Sequence, residues 1–210
     1  MNTTVQNFEQ ALLAFDRVAS SELISQGAKQ VGALSCVEQL VVPALEHIGH
    51  EWEQGNLALS QVYMSGKICE ELVDAILPPA SPQRIDQPAM AIALLADYHS
   101  LGKMIVRSAL RASGFELQDF GRVEAEELFD QVVEQGVRIL LISVLMLPSA
   151  LQVKRVTERL RAAGTGVRVV VGGAPFRLDP QLWREVGADA MGKDSAEAIA
   201  VVHRLMRESV

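Results

Sequence analysis

From Val5 to Leu77 the apolar positions recur at helical spacing: Leu40, Val41, Leu45, Ile48 and Trp52 form one stripe, and Val62, Ile68, Leu72, Val73 and Ile76 another. Such stripes predict amphipathic helices that share a core. Gly27, Gly32 and Gly55 punctuate the stretch into roughly four helices, with Pro43 in the first turn of one or kinking it. Residues 78–89 are rich in proline and poor in bulky apolar side chains, which predicts an inter-domain linker.

Beyond residue 89 the period changes. Short apolar runs, Ala91 to Ala96, Phe115 to Phe120, Arg138 to Leu145, Val167 to Val171 and a weaker Ala188 to Met191, predict five strands. Amphipathic stretches near Gly102 to Ser113, Ala125 to Gln135, Ala150 to Ala163, Pro180 to Val186 and Ser195 to Arg207 predict the intervening helices. Strand–helix alternation with continuously apolar strands implies an α/β unit: a parallel sheet covered on both faces. Five strands make a flavodoxin-like or Rossmann-like doubly wound sheet the economical topology. The predicted organisation is therefore a helical domain over 1–77, a linker over 78–89 and an α/β domain over 90–210.

Composition narrows the function classes. With 210 residues, 49% hydrophobic and 21% charged, the chain can bury a substantial core. Cys36 and Cys69 lie far apart with no paired histidines, so neither a disulfide framework nor a zinc site is signalled, and a reducing cytoplasm fits best. No stretch approaches ~18 uninterrupted apolar residues and the start of the chain lacks a signal-peptide pattern, so no membrane role is expected. A formal net charge of −7 with no basic–aromatic cluster argues against nucleic acid.

In an open parallel sheet a ligand binds beyond the carboxyl ends of the strands, where strand order reverses. Three unusual segments fall there: Asp97-Tyr98-His99-Ser100-Leu101-Gly102, Ser143 to Ser149 (including Leu145 and Leu147), and Gly172-Gly173. Asp97, two residues before His99, can accept a hydrogen bond from one imidazole nitrogen and leave the other free, an arrangement typical of metal-bound histidine. Glycines at the end of an apolar strand forfeit packing, a cost that makes sense where something bulky approaches the backbone. Each feature alone is an ordinary loop feature. Together they mark a ligand crevice without saying which ligand. Glu46-His47-Ile48-Gly49-His50-Glu51 looks like a metal-ligand run but reads as a solvated helix face, and Trp183 and Met146 read as packing for the sheet.

The three segments together resemble the B12-binding domains of cobalamin-dependent methyltransferases, methionine synthase among them, and of their partner corrinoid proteins, whose pattern is DxHxxG, then SxL, then GG. Asp97, His99 and Gly102 match the first element, Ser143 and Leu145 the second, Gly172 and Gly173 the third. Ile48 to Leu57, followed by Gln61-Val62, resembles the helical cap of the same family. The resemblance implies a cobalamin cofactor bound base-off. His99 would be the axial cobalt ligand, Asp97 and Ser149 would complete a hydrogen-bonded triad, and Tyr98, Ser100, Leu101, Leu145, Leu147, Ser143, Gly172 and Gly173 would line the cofactor. It further implies a four-helix cap over the upper corrin face, with Trp52, Tyr63 and Met64 either touching the corrin or filling the bundle core. Two departures stand out: Ser100 where a carboxylate is common, and a turn of the second strand, Phe120-Gly121-Arg122-Val123, without its usual acidic residue.

The implied function is a corrinoid carrier that shuttles a methyl group between partner methyltransferases, with a corrinoid reductive activator as a further candidate partner. Such a chain is a subunit of a methyltransferase system rather than a self-sufficient enzyme, and it carries no nucleophile motif or P-loop of its own. The alternative is a cobalamin-based sensor acting through a protein partner. In the light-sensing regulators a Glu-His pair follows the cap tryptophan by ten and eleven residues, where Val62 and Tyr63 stand here.

Overall fold

The structure, a computed structural model, describes residues 3–76 and 87–208. Most of the expected linker lies outside the described residues. The chain divides into two compact units, Met1–Pro78 and Pro79–Val210.

The first unit is helical: α1 (Thr3–Leu13), α2 (Arg17–Val31), a short α3 (Ala33–Cys36) that passes through a π-helical stretch (Val37–Val41) into α4 (Val42–Glu53), and α5 (Leu59–Ile76). Val5, Phe8, Ala11 and Leu12 of α1 are buried at helical spacing, together with Ile48 of α4 and Ile68 and Val73 of α5. Asp16 caps α2 by accepting the Ala19 N–H at 3.0 Å. Gly32 and Gly55 end helices at positive φ, +87° and +79°. Gly27 does not. It lies inside α2, where a Cβ would come 2.6 Å from Cys36 Sγ, so it serves close packing of α2 against α3. Trp52 and Tyr63 are exposed rather than part of the bundle core.

The second unit alternates β1 (Met90–Leu95), α6 (Leu101–Ala112), β2 (Gln118–Val123), α7 (Ala125–Glu134), β3 (Ile139–Ser143), α8 (Leu147–Ala162), β4 (Arg168–Gly172), α9 (Ala174–Leu178), α10 (Leu182–Glu185), β5 (Ala190–Gly192) and α11 (Ser195–Glu208). The five strands are parallel in the order β2-β1-β3-β4-β5. Alternate residues of the inner strands face two cores. Ala91, Ala93, Leu140, Ile142, Val169 and Val171 pack with α7 and α8, while Met90, Ile92, Ile139, Leu141 and Val170 pack with Leu110 of α6 and Val202 and Leu205 of α11. Burial on both faces is why these strands read as unbroken apolar runs.

Two elements start three residues from their expected positions, and one was not expected. β2 starts at Gln118, because Phe115 is a core residue of the preceding turn rather than a strand residue. α8 starts at Leu147, so Leu147, Pro148 and Ser149 form its first turn instead of a loop, with Pro148 where its missing N–H costs nothing. The short α9 directly follows the glycine pair.

Candidate functional site

The reversal of strand order falls between β1 and β3, and the chain leaves β1 through Ala96, one of two non-glycine residues with positive φ (+46°) among the described residues. The strained residue is held at both ends: its N–H donates to Val123 O at 2.9 Å and its carbonyl accepts from Ser149 Oγ at 2.8 Å. This kink aims Asp97 inward. The Asp97 side chain is 1% exposed and His99 is 53% exposed, so one end of the pair is anchored and the other presented to solvent.

Asp97 is an acceptor for five donors. Oδ1 accepts the Tyr98 N–H (2.7 Å), the His99 N–H (3.1 Å) and His99 Nδ1 (2.7 Å). Oδ2 accepts the N–H groups of Leu145 (2.8 Å) and Met146 (3.0 Å), just ahead of α8. Burial pushes the carboxyl pKa up, but the hydrogen bonds from the His99 ring and from the backbone of Leu145, Met146 and His99 outweigh it and bring it down to about 2. An ionised carboxylate only accepts, so Nδ1 carries the hydrogen, the tautomer that leaves the lone pair on Nε2. Nε2 is thereby the nitrogen available to a metal.

The triad expected from Asp97, His99 and Ser149 does not form as such. The Ser149 hydroxyl donates to the Ala96 carbonyl, while Oδ2 of Asp97 takes two backbone donors. Ser149 acts on the kink and not on the carboxylate. Met146 likewise does not pack the sheet: it is exposed, with Leu145 and Leu147 beside it in the chain forming an apolar ledge after β3.

Across the sheet, Ser143, Gly172 and Gly192 pair in one row at the ends of β3, β4 and β5. Gly102, in the first turn of α6, faces the same row, where a Cβ would lie 3.6 Å from Ser143 Oγ. Gly172 and Gly173 are small for a reason absent from the sequence reading. A Cβ at Gly172 would come 3.1 Å from Gly192 O, and one at Gly173, whose φ is +120°, would collide with Val144 O. The neighbouring backbone itself makes the close approach. Gly192 was not anticipated; its signal is a glycine closing the last apolar run before the final helix.

On the outer side, Ser100 precedes α6 and its hydroxyl contacts Met104 Sδ at 3.8 Å, while Leu101 begins the helix. Tyr98 is exposed and lies beneath the Arg122 guanidinium. The carboxylate missing from the β2 turn is present one residue earlier. Asp119 pairs with the buried Lys103 (2.5 Å) and accepts the Gly121 N–H (2.8 Å). The Glu46–Glu51 run is not wholly a solvated face, since His47 Nδ1 meets Glu9 at 3.0 Å, but no group of three potential ligand side chains among the described residues could hold a metal ion.

A free imidazole nitrogen, oriented by a buried anion, beside an apolar ledge and a row of small residues suits a large ligand with a nitrogen-seeking metal. The comparisons agree with that chemistry. A family model described as B12 binding domain matches residues 88–202, more than half of the chain, and a second, also described as B12 binding domain, matches residues 4–77. The chain belongs to the B12-binding corrinoid proteins. Among these relatives, monomethylamine corrinoid protein 1 of Methanosarcina acetivorans is 30% identical over 210 residues, covering 93% of this chain and 94% of the relative. Trimethylamine corrinoid protein 2 of Methanosarcina mazei is 27% identical over 206 residues, covering 94% and 93%. The solved structure of the monomethylamine corrinoid protein of Methanosarcina barkeri superposes with a TM-score of 0.83 at 26% identity, over 95% of this chain and 96% of that one. The cofactor of this corrinoid protein is cobalamin, and the residues at the β1 end fit it: a nitrogen donor of fixed tautomer, with no side-chain bulk along the adjoining strand ends.

Proposed function

We propose that this chain is a methyl carrier. It holds cobalamin base-off on residues 90–210 with His99 as the axial ligand, and residues 1–77 serve as the family's helical cap module. The observation that carries this reading is the His99–Asp97 pair at the switch point, one partner buried and ionised and the other exposed. When bound, the corrinoid supplies the chemistry no side chain here offers: a cobalt that accepts a methyl group from one partner and yields it to another. The chain's own residues orient and hold. Asp97 fixes the imidazole tautomer, and Leu145 and Leu147 offer apolar surface. Ser143 and Gly102 keep side-chain bulk out of the path of the cofactor's nucleotide tail, beside the strand end that Gly172 and Gly173 allow to close up, with Tyr98, Ser100 and Leu101 nearby.

The relatives named for monomethylamine and trimethylamine make a methylamine:corrinoid methyltransferase the first partner to test, with a corrinoid reductive activator as the second. Among the described residues no helix is long and apolar enough to cross a membrane, in keeping with action in the cytoplasm. Purified apo-protein mixed with hydroxocobalamin should give the absorption spectrum of a histidine-ligated, base-off corrinoid, and His99→Ala should not. An unchanged spectrum in that variant removes the ligand assignment. Reduced, loaded protein kept in the dark with a methylamine and its methyltransferase should become methylated; light-dependent change in oligomeric state without methylation would favour a sensor.

A further inference from the structure

The edge strand β2 contains an irregularity whose consequence lies beside His99. Against β1 its register runs Ile92↔Asp119 and then Leu94↔Arg122, so one extra residue is inserted between them. Gly121 takes φ +69° within the bulge. Asp119 pins it, accepting from both the Gly121 N–H and Lys103 Nζ, and Lys103 is itself buried. Without the extra residue Gly121 would stand opposite Leu94, and the Arg122 side chain would leave from the other face of the sheet. With it, the guanidinium carbon lies 4.3 Å from the centroid of the Tyr98 ring, steadied by Glu124 at 2.9 Å. Tyr98 is 72% exposed, so few side chains other than Arg122 fix it.

We propose that Arg122 is a positioning residue for the cobalt ligand. By stacking on Tyr98 it restrains the segment between Asp97 and His99, so that the imidazole is presented in one orientation when a corrinoid arrives. The idea rests on His99 being that ligand. It assigns a role to the bulge, to Asp119 and to Lys103.

The test is a double-mutant cycle on the full chain, read by equilibrium titration with hydroxocobalamin and by the histidine-on fraction in the absorption spectrum. Arg122→Met and Tyr98→Leu should each weaken binding by roughly 2- to 5-fold, the double variant no more than the worse single, and Arg122→Lys should recover most of the loss. The histidine-on fraction should fall in Arg122→Met. Effects that multiply in the double variant, or a failure of Arg122→Lys to recover binding, overturn the proposal. So does a drop in the unfolding midpoint of the apo-protein that parallels the loss of binding, since that is a general structural role. Failure of the ligand assignment is separately visible: His99→Ala would then keep the wild-type spectrum, whatever the coupling between Arg122 and Tyr98.

Discussion

Around Asp97 the carboxyl ends of the strands are held together by hydrogen bonds, whereas around Gly173 they fit through the lack of a side chain. On the β1 side one carboxylate collects five donors from two loops, and a serine secures the kinked residue before it. On the β4–β5 side the strand end fits because Gly172 and Gly173 let backbone carbonyls come close, and the Val144 N–H donates to the Gly172 carbonyl at 3.1 Å. The two sides should therefore fail differently. The first is sensitive to the number and sign of polar groups, the second to volume.

The largest effect is expected at Gly173. Gly173→Ala places a methyl against the Val144 carbonyl at a φ that side chains rarely adopt, and should cost on the order of 3–5 kcal/mol in urea unfolding of the apo-protein. Gly173→Ser should cost as much, since size and not polarity decides; tolerance of either within about 1 kcal/mol would refute the steric account. Next is Asp97→Asn, nearly the same in shape. Its amide must turn two hydrogens toward groups that are all donors, so unfolding stability should fall by about 2–3 kcal/mol. An effect below half a kcal/mol would show that the carboxylate's charge is not what holds the loops.

Ser149→Ala should cost about 1 kcal/mol by releasing the Ala96 carbonyl, measurable in the same unfolding experiment. The smallest effect is a pH dependence at the rim. Burial raises the Asp119 pKa, but its hydrogen bonds to Lys103 and Gly121 overcome this and leave it below the ordinary carboxyl value. The stabilisation it gives is thus fully present above about pH 4 and is lost as pH falls through the lowered native value. The stability difference between wild type and Asp119→Asn should shrink below about pH 4; a difference that stays constant into acid would detach the carboxylate's charge from the bulge.

The hydrophobic period was enough for β1, β3 and β4, because strands buried on both faces cannot hide their composition, whereas the exposed edge strand β2 was placed three residues early; the doubly wound order was the economical topology for five strands alternating with helices. The switch point between β1 and β3 followed from that order. Residues whose role depends on what lies across from them were harder to read. Gly27 has the sequence look of a helix break, yet it makes room for the Cys36 thiol inside α2. Met146 has the look of a core residue, yet it sits on the exposed ledge because the chain turns away from the sheet at Val144. The acidic residue sought in the β2 turn was one position early, since a bulge shifts the register and leaves no mark in composition.

By itself, the sequence determined which faces of the inner strands are buried, how many strands there are and where their order reverses, since these depend on periodicity and chain order. Only the tertiary structure decided which group bonds to which. Asp97 meets backbone N–H groups 48 and 49 residues further along the chain, Ser149 reaches the Ala96 carbonyl rather than that carboxylate, and Gly173 abuts the Val144 backbone. A hydrogen bond is settled within about 3 Å, and the crossover from β1 through β3 to β4, not the local pattern, brings groups to that distance.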